Sequence, residues 1–280
     1  MYTKPLVRSW LLGNLVIALL CSACVSPGPK VRQEKEAAAP YNHDLVMGIL
    51  WQQHSGEYAA LCYQAFNAGK AYIASLPLGE KPAVVFDIDE TLLDNSKYAA
   101  WMVCTGNPWG NDTWEAWCHA READAVPGSR DFALFLREQG IELFYISNRP
   151  ASTTASTIEN LQSLGFPLAD ADHVFLQEST SDKNPRLDRI RALGYDILLL
   201  AGDSLEDFDS TTRKWTNQER RAWADAKKDG FGAYRIVLPN AVYGTFESAI
   251  VPNYYGLSLE EKARARLEKI HSWKPSAAQD

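Results

Sequence analysis

The chain is short of the residues that thiol chemistry, zinc chemistry and nucleic-acid binding depend on. Its 280 residues hold 5 cysteines and 5 histidines. Cys62, Cys104 and Cys118 stand away from every strand end that carries a candidate site, so a catalytic thiol has no support. A pairing of Cys104 with Cys118 in an oxidising compartment stays open. His43, His54, His119 and His173 show no metal-ligand spacing and read as structural. A basic excess is also missing: 28 Lys and Arg face 35 Asp and Glu, for a net charge of −7, which argues against a nucleic-acid polymer as partner. There is no internal repeat. The apolar stretch from Trp10 to Leu20 is shorter than the roughly 20 residues a spanning helix needs.

What is present is an apolar fraction of 46%, enough for one sizeable α/β domain with helical additions. Its most informative segment is Asp87-Ile88-Asp89-Glu90-Thr91, directly after Ala83-Val84-Val85-Phe86. The β-branched and aromatic run reads as a buried parallel strand, and acids just past its carboxyl end lie where open α/β sheets hold their ligands. Paired acids there can divide the work of phosphoryl transfer. Asp87 would take the phosphoryl group, while Asp89 would protonate the departing oxygen and then deprotonate water.

Partners follow in order along the chain. The strand candidate Ile141-Glu142-Leu143-Phe144-Tyr145-Ile146 leads into Ser147-Asn148-Arg149, which precedes a helix patterned on Ile158, Leu161 and Leu164 and stopped by Gly165. Ser147 and Asn148 are candidates for phosphate binding. Val174-Phe175-Leu176 precedes Lys183, an ammonium for the charge on the transferring group. Ile197-Leu198-Leu199-Leu200-Ala201 runs into Gly202-Asp203-Ser204-Leu205-Glu206-Asp207, a second acidic loop suited to Mg²⁺. Taken singly, each feature has a plain alternative. An acidic pair can be a turn or a cap, Lys183 a surface lysine and Ser147 a helix cap; Arg149 and Arg186 can assist with phosphate or form solvated ion pairs. The ordered series is what favours chemistry.

That series resembles the four motifs of the haloacid-dehalogenase-like superfamily, in the four-aspartate arrangement of the class C acid phosphatases. Asp94-Asn95-Ser96, Ala125-Val126-Pro127-Gly128, Ser147-Asn148-Arg149 and Leu238-Pro239-Asn240-Ala241-Val242-Tyr243-Gly244 extend the likeness to the bacterial outer-membrane lipoprotein e type, over roughly residues 41 to 273. The resemblance implies that Asp87 is the nucleophile, that Asp89 is the general acid/base, and that Asp87, the Asp89 carbonyl and Asp203 bind Mg²⁺, with Asp207 acting through water. It implies phosphate binding by Ser147 and Lys183, and stacking of an aromatic or nucleoside leaving group on Trp114 and Tyr243, for which core packing is the alternative. The expected activity is hydrolysis of phosphate monoesters, 5′-nucleotides among them, through an aspartyl-phosphate. A binding lipoprotein without turnover and a phosphatase for one phosphoprotein are the competing readings. A phosphorelay receiver is disfavoured by export and by the placing of the first motif.

The amino terminus carries the address. Lys4 and Arg8, the apolar stretch and Cys21-Ser22-Ala23-Cys24 have the three regions of an export signal. The small residues before Cys24 resemble a lipoprotein cleavage site that would make Cys24 the lipidated first residue, although Cys21 stands where such sites usually have Leu. Ordinary cleavage or an uncleaved anchor remain alternatives. Val25 after the cysteine favours the outer membrane. Removing residues 1–23 takes away Lys4 and Arg8 and no acids, so the charge moves from −7 to −9.

The expected fold is a Rossmann-like parallel sheet flanked by helices, with a smaller helical cap. In that plan residues 24–40 form a tether rich in Pro, Ala and charge, 41–80 helices, 81–245 the α/β core, about 95–125 a tryptophan-rich cap insertion, and about 257–272 a last helix. Ser258 and Glu261 make a capping-box pattern for that helix. Its apolar residues Leu259, Ala263, Leu267 and Ile270 are expected to pack on the core, with membrane-surface contact as the alternative. Oligomeric state is left open.

Overall fold

The computed structural model describes residues 44–273, so the export signal, Cys24, the tether and His43 lie outside the described residues. In chain order the elements are α1 (Val46–His54), α2 (Gly56–Ala74), β1 (Pro82–Phe86), β2 (Leu93–Asp94), α3 (Ser96–Thr105), α4 (Asn111–Ala120), β3 (Asp124–Ala125), α5 (Ser129–Glu138) and β4 (Glu142–Pro150). They continue with α6 (Thr154–Ser163), β5 (Val174–Gln177), α7 (Asn184–Ala192), β6 (Asp196–Gly202), α8 (Asn217–Ala226), β7 (Arg235–Val237), α9 (Thr245–Ser248) and α10 (Leu259–Lys269).

Five strands form a parallel sheet in the order β5-β4-β1-β6-β7. Because β1 is central, the chain leaves it toward β4 on one side and reaches β6 on the other, which opens a crevice at its carboxyl end. Every residue of β1 is buried, as a central parallel strand requires. The pleat sends alternate side chains to opposite faces. Val84 and Phe86 pack with Phe66 of α2, Phe132 and Leu136 of α5, and Tyr145, whereas Ala83 and Val85 pack with Phe144, Phe175, Leu187 and Ile190 on the side of α7. Each fully buried large apolar side chain contributes about 1.5–3 kcal/mol, so this three-layer core holds the crevice rigidly.

The cap enters and leaves the core through a two-residue antiparallel ladder in which Leu93 pairs with Ala125 and Asp94 with Asp124. Between these strands α3 and α4 build a small core of their own, where Tyr98, Ala99 and Met102 meet Ile49 of α1 and Val242 from the loop after β7, with Trp114 and Trp117 against them. Cys104 is exposed and Cys118 buried, and both are free thiols, so the open pairing is not made here.

The last helix begins as expected: the Ser258 hydroxyl accepts from Glu261 N–H while Glu261 accepts from Ser258 N–H. Its packing differs from expectation. Leu267 and Ile270 are 71% and 64% exposed, and the helix turns Ala265 inward instead. Arg266 decides this orientation, because its guanidinium reaches both Asp44 and Glu247 and can do so only from the inner face.

Candidate active site

The site is built from the residues that follow the carboxyl ends of the central strands. Asp87 comes straight after β1, and its backbone N–H donates to Ala201 O on β6 at 2.8 Å, which fixes where its side chain emerges. Lys183 N-terminally flanks α7, and its ammonium reaches the Asp87 carboxylate and Asp207 Oδ1, the latter at 2.6 Å. Asp207 is held by a short turn over Leu205–Asp207, in which its other oxygen accepts from Ser204 N–H at 3.0 Å. Gly202, at the end of β6, leaves room for this: a Cβ there would collide with the Asp207 side chain. Asp203 is steadied by the side-chain amide of Asn240 at 2.7 Å.

Oxygens of Asp87, Asp203 and Asp207 lie within 4.8 Å of one another. Burial raises the Asp87 carboxyl to about 7; Lys183 pulls against this, while Asp207 and Asp89 add to it. Asp203 is also pushed well above the carboxylate range by burial, then by Asp207 and Asp87. Burial works against the charge of Lys183, yet the carboxylates of Asp207 and Asp87 outweigh it and hold the ammonium above its ordinary range. One ammonium does not neutralise three crowded acids once all are ionised, which together with burial is why Asp87 and Asp203 hold their protons so firmly and why a bound cation would take the protons' place. Hard oxygen donors carrying surplus charge suit a divalent cation, so the donor set fits a metal of that kind.

Residues 28–246 match the HAD superfamily, subfamily IIIB (Acid phosphatase). The chain belongs to that family. The class C acid phosphatase from Bacillus anthracis is 34% identical, with a TM-score of 0.79 over 84% of this chain and 99% of that one. A crystal structure of the Bacillus anthracis class C enzyme with tungstate bound matches equally well, at 34% identity and a TM-score of 0.79 over 83% of this chain. The protein is therefore a phosphomonoesterase of the acid phosphatase type, and its α/β fold is the HAD-like one.

The phosphatase gathers most of the residues singled out in its sequence. Asp87, Lys183, Asp203 and Asp207 share one cluster. Asp89 lies beside it, its side chain 15% exposed and tied to Ser147, whose hydroxyl donates to Asp89 Oδ2 at 2.8 Å. Ser147 is thus anchored at the site but faces the acid. Asn148 accepts from Arg186 at 2.7 Å, and Arg186 also donates to Ser147 O at 2.5 Å, so both bonds tie down the carboxyl-terminal half of β4. Trp114 lies half-buried in the cap with its edge toward Tyr98, ring centroids 5.2 Å apart. Tyr243 leaves its ring 41% exposed and donates its hydroxyl to Glu90.

Arg149 departs from one of the two readings open to it from sequence. It is not a solvated ion pair: it is 1% exposed and paired with Asp89 at 2.8 Å. Three other residues carry structural weight at the site without having been given a role from sequence. Glu90 adopts a left-handed backbone at φ 56 and buries its carboxylate against Asn95 N–H at 2.8 Å, the Asn95 amide and the Tyr243 hydroxyl. Burial raises the Glu90 carboxyl to about 8, and Asp89 adds to the effect. Such a backbone costs a non-glycine residue about 1–2 kcal/mol, and these bonds hold it there. Asn95 links Glu90 to Asp89, and Asn240 links Asp203 to the Tyr243 loop by accepting from Val242 N–H at 2.9 Å. The only sequence signal for these residues was their presence inside the motif stretches themselves.

Proposed function

We propose that this acid phosphatase hydrolyses phosphate monoesters, 5′-nucleotides among them, in a Mg²⁺-dependent reaction through an aspartyl-phosphate on Asp87. The observation that carries the reading is the convergence of Asp87, Asp203 and Asp207 at the crevice of the sheet, with the Lys183 ammonium bridging Asp87 and Asp207. Tungstate bound to the Bacillus anthracis relative adds support, since a tetrahedral oxyanion resembles phosphate.

In this mechanism Asp87 attacks phosphorus in line, a P–O bond forms to its carboxylate, and the ester P–O bond breaks. Asp89 donates its proton to the departing alcohol oxygen, then takes a proton from the water that cleaves the aspartyl-phosphate. Asp87, Asp203, Asp207 and the Asp89 carbonyl would hold Mg²⁺, which when bound offsets repulsion between an anionic nucleophile and an anionic substrate. Lys183 supplies a fixed positive charge for the transferring oxygens, and Ser147 and Asn148 shape the phosphate side of the crevice. Trp114 and Tyr243 would face the nucleoside. An acidic optimum is the expectation that the acid phosphatase family carries. Cys24 would tether the enzyme by lipid to the outer membrane.

The test is phosphate release from a nucleoside 5′-monophosphate and from an aryl phosphate at acidic pH, with Mg²⁺ or with EDTA, in wild type and Asp87→Asn. Turnover of both substrates, abolished by chelation and by the substitution, is the expected outcome. Release that persists in Asp87→Asn would assign the nucleophile elsewhere, and full activity in EDTA would remove the metal.

A further inference from the structure

We propose that Arg149 and Asn95 are positioning residues that tie the carboxylate of Asp89 to two tryptophans of the cap helix α4, so that the cap sets where the acid/base stands. The inference rests on the reading of Asp89 as the acid/base. Asp89 Oδ1 accepts from Arg149 Nε at 2.9 Å and from Asn95 Nδ2 at 2.9 Å, while Oδ2 accepts from Ser147. Each of these partners is itself immobilised.

The Arg149 guanidinium is buried and spends its remaining donors on Thr157 Oγ1 at 3.3 Å and Asn95 Oδ1 at 3.2 Å. Rotating it away from Asp89 would leave a buried charge and its N–H groups without partners, which the interior does not tolerate. Asn95 is 2% exposed and uses both ends of its amide: the nitrogen donates to Asp89 and Glu90, and the oxygen accepts from Arg149 and from Trp117 Nε1 at 2.8 Å. Trp114, one turn earlier on α4, lies under Arg149 with its ring centroid 5.7 Å from the guanidinium carbon. Two side chains on one face of α4 therefore grip two of the three residues that hold Asp89. A general acid must come within hydrogen-bond reach of the departing oxygen, and an Asp side chain on a loop has no such precision of its own. The cap helix supplies it, through contacts that no substrate atom need touch.

Leaving-group dependence reads this role directly. A 4-nitrophenolate departs with little help from a proton, whereas an alkoxide needs one. The measurement is kcat/KM for 4-nitrophenyl phosphate and for a simple alkyl phosphate in wild type, Asp89→Asn, Trp117→Phe, Arg149→Lys and the Asp89→Asn/Trp117→Phe double variant, each checked for folding by thermal melting. Trp117→Phe keeps an aromatic ring but removes the N–H that Asn95 accepts together with part of the ring volume, so the split between the two substrates, and not the size of the loss, is the readout. Asp89→Asn should lower the alkyl substrate about 10²–10⁴-fold and the aryl substrate much less. Equal losses there would overturn Asp89 as the acid and not the geometry around it. With Asp89→Asn selective, Trp117→Phe should cost the alkyl substrate about threefold to tenfold more than the aryl one, Arg149→Lys more still, and the double variant no more selectivity than Asp89→Asn alone. Uniform loss for both substrates in Trp117→Phe and Arg149→Lys, or no loss in either, would mean that these residues only pack the cap, and the inference would fall.

Discussion

A missing side chain is as consequential at this site as any that is present. Gly202 ends β6 with the Asp207 carboxylate lying where its Cβ would be, and Asp207 in turn shares Lys183 with Asp87. Gly202→Ala must therefore displace the Asp207 side chain from its place beside Lys183. Expected consequences are a Mg²⁺ activation curve shifted about tenfold or more toward higher concentration, and a stability loss of about 1–3 kcal/mol. Gly79 has open space around its Cβ position, so Gly79→Ala serves as the control and should leave the curve unmoved. An unshifted curve in Gly202→Ala would remove Asp207 from the metal's surroundings.

Among the elements, the last helix and the cap show how a polar contact can overrule an apolar pattern. Leu267 and Ile270 follow helical spacing, yet α10 shows them to solvent because Arg266, with a side chain only 15% exposed, spans Asp44 and Glu247. Hydrogen bonds to charged groups that are partly buried contribute about 1.5–3 kcal/mol, more than an exposed surface pair. Arg266→Ala is expected to destabilise the protein by about 2 kcal/mol in a denaturant or thermal melt while leaving kcat/KM unchanged, because α10 lies outside the catalytic crevice. Leu267→Ser should cost less than about 0.5 kcal/mol, as surface substitutions do. The reverse ranking would show that the helix is held by its apolar stripe after all. In the cap a polar contact runs inward, with Trp117 on α4 donating to the buried Asn95 at 2.8 Å.

The metal-free molecule as a whole should be more stable in acid than in mild alkali. Asp87 moves from 3.8 to about 7 and Glu90 from 4.5 to about 8, both chiefly through burial, so the folded state keeps protons that the unfolded chain has released. A group raised in this way contributes stability below its unfolded value and loses it as pH climbs through the folded one. His173, bonded to Asp170 at 2.6 Å and Glu142 at 2.8 Å, works in the same sense: burial opposes its charge, but the two carboxylates raise it above 6.5. Among the described residues, three carboxyls favour the opposite direction, at the acid end: Asp170, whose burial raises it but whose bonds to His173 and Asp172 outweigh that and lower it, and the exposed Glu219 and Glu261, lowered by their capping bonds to Thr216 and Ser258. Thermal melts in EDTA should thus show Tm falling as pH rises through about 4 to 8, with added Mg²⁺ flattening the decline. A flat or rising profile in EDTA would contradict the burial of these carboxyls.

What the sequence determined by itself was whatever depends on neighbours along the chain. The apolar run before Asp87, the run before Gly202 and the run before Ser147 became β1, β6 and β4, because burial on both faces leaves an unbroken short apolar run that needs no partner to be read. The Ser258 and Glu261 cap was equally local, and it formed as written. The acids Asp87, Asp203 and Asp207 could be named because strand ends announce where a crevice opens. Only the tertiary structure decided which way Asp89 is held, that Arg149 is buried against it across 60 positions of chain, and that Trp117 reaches Asn95 from the cap. Such contacts carry no period and no local cap; they exist because an unpaired buried charge or amide is too costly, and the folded chain alone determines which partner lies within reach.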